Sequence, residues 1–197
     1  MPRRISALLG SLAAFAGCAG SVDVEPSGFL RDYSQLEPGR ADQAQLVYIN
    51  PEADFSPYEK LVIDPVAVWH TADSDASGEE LQRLADELGA ALREELQLEF
   101  ELVESPQPGT LRIRAAITRV RESGASVELE VLDAESSQRL VAVADARGDA
   151  GRTDVIAEEW EGARAAFEFW ARRARVRLAA FRSFDASEAA YDAGAER

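Results

Sequence analysis

The sequence predicts an α+β fold: a mostly antiparallel or mixed β-sheet with two long helices packed on one face, in the order strand, helix, four strands, helix. Three observations predict it. Leu81, Leu84, Leu88, Leu92 and Leu96 recur at the three-and-four spacing of one helical face. Trp160, Ala163, Phe167, Trp170, Ala174, Leu178 and Phe181 repeat that spacing near the C-terminus. Between them, Leu111, Ile113, Ala115 and Ile117, then Val127, Leu129 and Val131, alternate with polar or small residues, the period of a sheet with one wet face.

From the front, Arg3 and Arg4 precede an apolar run from Ile5 to Phe15 that closes in Ala16-Gly17-Cys18. The run is shorter than the roughly 20 residues of a spanning helix, so residues 1–17 read as a signal peptide. The small residues before the cysteine resemble a bacterial lipobox, which implies cleavage ahead of Cys18 and acylation of the new N-terminus. A buried free thiol and an ordinary signal peptide cut elsewhere are the alternatives. Two or more acyl chains hold a protein firmly to a bilayer. By resemblance to lipoprotein sorting, Ala19 rather than Asp after the cysteine implies the outer membrane, periplasmic face.

Residues 18–45 are polar and broken by Pro26, Gly28, Pro38 and Gly39, a tether or irregular wrap. Phe29, Leu30, Tyr33 and Leu36 are apolar for a linker and predict docking on the domain; a disordered stalk is the alternative. Residues 46–183 then form a single α+β periplasmic domain.

Leu46–Ile49 reads as a short strand. Leu61–Trp69 reads as a strand interrupted at Pro65, which cannot donate to a ladder and so belongs at an edge or bulge. Ser77 with Glu80 makes a capping box for the first helix. Strands follow at Phe100–Val103, Leu111–Thr118, Val127–Val131 and Leu140–Arg147, with turns at Pro106–Gly109, Glu122–Gly124 and Asp133–Ser137. Arg112 and Arg114 are placed to face Glu128 and Glu130 across the exposed side of the sheet. Asp154 is the expected cap of the second helix, whose last turns gather Arg172, Arg173, Arg175, Arg177 and Arg182. That cluster is either a solvated face or a patch for an anionic lipid or partner. Residues 184–197 read as a frayed tail.

Composition narrows the function. With 36 acidic against 21 basic residues and a formal charge of −15, the chain would repel nucleic acid, whose binding draws on clustered Lys and Arg. One Cys and one His cannot by themselves build a zinc cluster or a disulfide. Asp73-x-Asp75-x-Ser77-Gly78 imitates the opening of a calcium loop, but Leu84 stands where the bidentate Glu belongs; no metal and no cofactor is expected. His70 with Asp64 could serve as a general base, yet no nucleophile elbow accompanies them, and a capping or surface histidine is the simpler reading. Trp160, Phe167 and Trp170 either fill the helix-to-sheet seam or line a ligand groove. Asp32, Tyr33, Tyr48, Asn50, Asp54, Asp64 and Trp69 form the candidate ligand or partner surface, where irregular segments meet the first strands. The plainer reading is that Asn50, Asp54 and Asp64 bond local backbone at turns.

Several strings carry a family resemblance: Ser27-Gly28-Phe29-Leu30 with Asp32-Tyr33-Ser34, Val47-Tyr48-Ile49-Asn50-Pro51 with Ala53-Asp54-Phe55-Ser56, Val62-Ile63-Asp64-Pro65-Val66 and Trp69, Ala115-Ala116-Ile117-Thr118, and the helix from Trp160 to Trp170. They resemble an uncharacterised proteobacterial lipoprotein family, domain-of-unknown-function family 3313. The resemblance implies no known activity and transfers no catalytic residue. The element order also resembles the accessory-lipoprotein sandwich of envelope-assembly factors, a likeness of fold that licenses no function by itself. The expectation is a non-enzymatic outer-membrane lipoprotein that binds an envelope protein or itself. A small-ligand or peptidoglycan-binding domain is the alternative, and a hydrolase built on His70 and Asp64 the third reading.

Overall fold

The computed structural model describes residues 24–40, 42–69, 74–121, 123–148 and 160–183. Cys18, Ala19, His70, Asp73 and Asp154, on which the anchor, sorting, base, calcium-loop and helix-cap expectations rest, lie outside them. Among the described residues no helix is long and apolar enough to cross a membrane, and no group of His, Cys, Asp and Glu is arranged to hold a metal ion.

In chain order the elements are β1 (Glu37–Pro38), β2 (Leu46–Ile49), β3 (Lys60–Ile63), β4 (Ala67–Val68), α1 (Gly78–Leu96), β5 (Glu101–Leu102), β6 (Thr110–Arg121), β7 (Gly124–Asp133), β8 (Arg139–Gly148) and α2 (Glu161–Ser183). The fold is α+β with one mixed eight-stranded sheet, ordered β1-β2-β8-β7-β6-β3-β5, with β4 also on β6. Four strands precede α1, where the sequence marks runs at Leu46–Ile49 and Leu61–Trp69 and the expected order counts a single strand. Pro65 divides the Leu61–Trp69 run into β3 and β4, because it ends the ladder on one side and leaves its neighbours to resume on the other. Chain reversal at Gly39, whose N–H donates to Gln45, adds β1 beside β2. β3 and β4 run parallel to β6, and parallel neighbours need a long crossover; α1 and β5 are that crossover.

α1 starts where the capping box places it. Ser77 accepts from the Glu80 N–H and Glu80 returns a bond to the Ser77 N–H. Ahead of it, Ser74 accepts from the Val120 N–H at 2.9 Å and the Asp75 N–H donates to the Val120 carbonyl, so the loop is fastened to the end of β6. The leucines of α1 and Phe167, Ala171 and Leu178 of α2 share one buried cluster with Leu111, Ile113, Ile117, Val127 and Val131 of the sheet. Each of the larger of these side chains contributes about 1.5–3 kcal/mol by leaving water.

A bulge at Thr118 keeps that face apolar. The pairing of β6 with β7 shifts between Ile117 and Arg119, and a one-residue shift exchanges the faces beyond it. Arg119 therefore stays out of the core while Val120 is fully buried in it. Gly124 begins β7 at φ 156°, and a Cβ there would lie 2.0 Å from the Arg147 carbonyl oxygen; only glycine fits the hairpin so close to β8.

The arginines of α2 are largely ion-paired. Arg175 bonds Glu95, Arg182 donates to the Glu99 carbonyl at 2.7 Å, and Arg164 grips Glu87. They fasten the basic second helix to α1 and to the turn that follows it, with Glu95 a bridging anion.

Candidate functional site

The second face of the sheet is not wet. Sequence alternation assigns Glu128 and Glu130 to water, yet they are 1% and 3% exposed, because the segment Ser27–Leu36 crosses over them as a strap. It fits because the underlying residues are small. Phe29 and Leu30 are buried against Ala116 of β6 and Ala142 of β8, with Tyr33, Leu36, Tyr48 and Ala67 packed at the margin.

The strap is bent to suit. Gly28 adopts φ 96° and Arg31 φ 63°, conformations that turn the chain twice within four residues; glycine takes the first freely, and Arg31 bears a modest strain. The turns aim consecutive backbone N–H groups downward. Glu128 accepts from the Ser27 N–H at 2.8 Å, the Leu30 N–H at 3.3 Å and the Tyr33 hydroxyl at 2.6 Å. The Gly28 N–H in turn donates to the Tyr33 oxygen at 2.8 Å. Burial, and then the bond to Glu128, pushes the Tyr33 phenol above its ordinary value.

Beside this pair, Glu130 accepts from Arg114, directly opposite it in the ladder, and from Arg139 Nε and Nη2 at 3.2 and 3.0 Å. Arg139 reaches on to the strap, donating to the Leu30 carbonyl at 2.6 Å and the Asp32 carbonyl at 2.8 Å. Arg114 also lies 5.1 Å above the Phe29 ring. Glu128 and Arg139 thus satisfy the backbone of a segment about a hundred residues away in sequence, while Glu130 holds Arg139 and Arg114 in place, and buried charge is tolerable only when so paired.

The expected surface residues divide accordingly. Tyr33, Tyr48 and Trp69 gather at the strap: Trp69 meets Phe29 edge-on at 5.8 Å and donates its indole N–H to the Ser27 carbonyl at 3.2 Å. Asp32 lies on the strap with its carboxylate turned to Ser34, whose hydroxyl and N–H hold it below the usual carboxylate range. Asp64 lies on the same sheet face, bound by Arg112 Nε at 3.0 Å to each oxygen. Asn50 ends β2, its N–H donating to Leu140 and its Oδ1 accepting from the Glu52 N–H. Asp54 stands apart, accepting from the Ser56 N–H at 2.9 Å; the neighbouring Phe55 packs in the main core against Phe181. Phe167 and Trp170 are buried at the helix-to-sheet seam, as is Trp160, which precedes α2 at φ 66°.

Glu128, Glu130, Arg114 and Arg139 are the residues whose role sequence reasoning missed. The signal that could have found them is the run of small partners, Ala116, Ala142 and Ala144, beside charged residues on one face of the sheet. Solvated strand faces have no need of such small side chains, whereas a face approached by another backbone does.

Fold and site together define a class: an α+β domain whose mixed sheet carries helices on one side and is closed on the other by its own N-terminal strap. Residues 25–125, just over half of the chain, match the family described as "Protein of unknown function (DUF3313)", and the chain belongs to that family. No curated protein matches it significantly. Among solved structures it is similar to the PelC dodecamer from Paraburkholderia phytofirmans, at 12% identity and a TM-score of 0.41, over 64% of this chain and 96% of that one. A methionine-substituted PelC dodecamer from the same organism aligns at 10% identity and a TM-score of 0.42, over 71% of this chain and 98% of that one.

Proposed function

We propose that this protein is a lipid-anchored outer-membrane lipoprotein whose periplasmic domain is a non-enzymatic accessory module, docking on another envelope protein or on further copies of itself. The observation that carries it is the strap. Eight residues lie between Cys18 and Ser27, a reach of at most about 30 Å, and Ser27 is already bonded to the buried Glu128. An acyl group on Cys18 would therefore hold the folded body close to the bilayer and in a limited range of orientations, the arrangement a docking module needs. Asp32, Tyr33, Asp54 and Asp64 spend their polar atoms on turns and ion pairs, which supports a scaffolding role for them rather than a catalytic one.

The test is fractionation of cells expressing the wild type or Cys18→Ser, with mass measurement of the N-terminal peptide and crosslinking of the membrane fraction. The expected result is outer-membrane protein carrying acyl mass on Cys18, and a discrete crosslinked species that Cys18→Ser loses. Soluble wild type with an unmodified first residue would overturn the anchor. Anchored protein that crosslinks to nothing and to no copy of itself would overturn the docking role.

A further inference from the structure

On the opposite side of the sheet from the strap, α2 does not lie flush on β2 and β8, and a cleft of about 150 Å³ opens beneath it. Its walls are apolar, with Val47, Val143, Trp170 and Leu178 among them, and Arg173 and Arg177 stand at its partly exposed rim. An apolar void of that size is large enough to take up a body the size of benzene.

Charge at the rim is unbalanced. The carboxylate in the wall, Asp145, is satisfied: Trp170 Nε1 donates to it at 2.8 Å, the Gln45 N–H at 3.1 Å, and Arg147 Nε lies 3.6 Å away. Arg177 is paired with Asp42. Arg173 instead lies 4.8 Å above the Phe169 ring, which Arg147 covers at 3.4 Å, and its Nη1 is buried with no hydrogen-bond acceptor. Burial, and then repulsion from Arg147, lowers its proton affinity. A guanidinium nitrogen buried without an acceptor is costly, and a carboxylate arriving at the rim would pair with the partly exposed remainder of the Arg173 group.

We propose that this cleft binds a single hydrocarbon chain ending in a carboxylate, the chain lying under α2 and the carboxylate on Arg173. The site is independent of the anchor, so the Cys18→Ser chain serves as the test protein and removes acyl chains that would compete. The probes are straight-chain carboxylates from butanoate to dodecanoate, with the matching alcohols, all below their micelle concentrations. Binding is followed by calorimetry and by tryptophan fluorescence. One molecule should bind per chain, with affinity rising roughly fourfold per methylene until the cleft is full and then levelling off. The alcohols should bind about tenfold more weakly, and Arg173→Gln should erase that tenfold difference while leaving alcohol affinity in place. Ala174→Phe, on the cleft wall, should abolish both, and its thermal melt shows whether it is folded. Should it lose its fold, Val47→Phe carries the same test. Absence of saturable binding, equal affinity for acid and alcohol, or binding undiminished in the folded cleft-filling variant would each overturn the proposal. So would capture of anionic phospholipid vesicles without binding of monomeric carboxylate.

Discussion

Removing one hydroxyl isolates the lock between strap and sheet. In Tyr33→Phe the ring keeps its packing, but Glu128 loses its 2.6 Å bond and the Gly28 N–H loses its acceptor. A hydrogen bond to a charged group contributes about 1.5–3 kcal/mol, so the variant should lose about 2 kcal/mol. For a domain of this size that lowers Tm by about 4–8 °C. Glu128→Gln should cost more, about 3 kcal/mol, since an amide turns an NH2 group toward one of three converging donors. Because the two changes remove one interaction, the double variant should cost less than their sum by about 1–2 kcal/mol. Urea denaturation followed by circular dichroism gives the energies, and limited proteolysis reports whether residues 24–36 have come away. Additivity within about 0.3 kcal/mol, or wild-type stability in Tyr33→Phe, would refute the reasoning that the hydroxyl ties the strap to a buried anion.

Two further perturbations probe different parts of the fold. Tyr58, pushed up to about 12 by burial and by its 2.9 Å bond to Asp133, is an acid favoured in its protonated form by folding. Its contribution, on the order of 2 kcal/mol, should be complete below pH 10 and lost as pH climbs toward 12. Thermal melts across that range should show the decline, and Tyr58→Phe should flatten it. Ser77→Ala removes the capping box of α1 and should cost about 1 kcal/mol, with hydrogen exchange quickened only in the first helical turn.

What could be read in the sequence is what local rules decide. The capping box and the leucine spacing place α1 at its observed start and end, and the alternation at Leu111–Ile117 and Val127–Val131 marks β6 and β7; of the expected cross-strand pairs Arg114 stands opposite Glu130, whereas Arg112 stands opposite Leu132 and binds Asp64 instead. Tyr33 and Trp69 appear among the candidate surface residues, but not for the reason that joins them, because their partners Glu128 and Ser27 are 95 and 42 residues away. The two-residue strands β1, β4 and β5 are too short to show any period. Glu128 and Glu130 misled because charge in an alternating strand normally marks water; here donors from the strap at Glu128 and arginines at Glu130 replace the water, which no period within the strand can reveal.

The strap also sets an order of events for the growing chain. Phe29 and Leu30 leave the ribosome about a hundred residues ahead of Glu128 and Arg139, the groups that seat them. Until those late strands have formed, the front of the protein has nowhere to settle, and closing so wide a span is slow. During that interval its greasy leading end is exposed to whatever escorts the polypeptide, and truncation before Arg139 would leave it stranded.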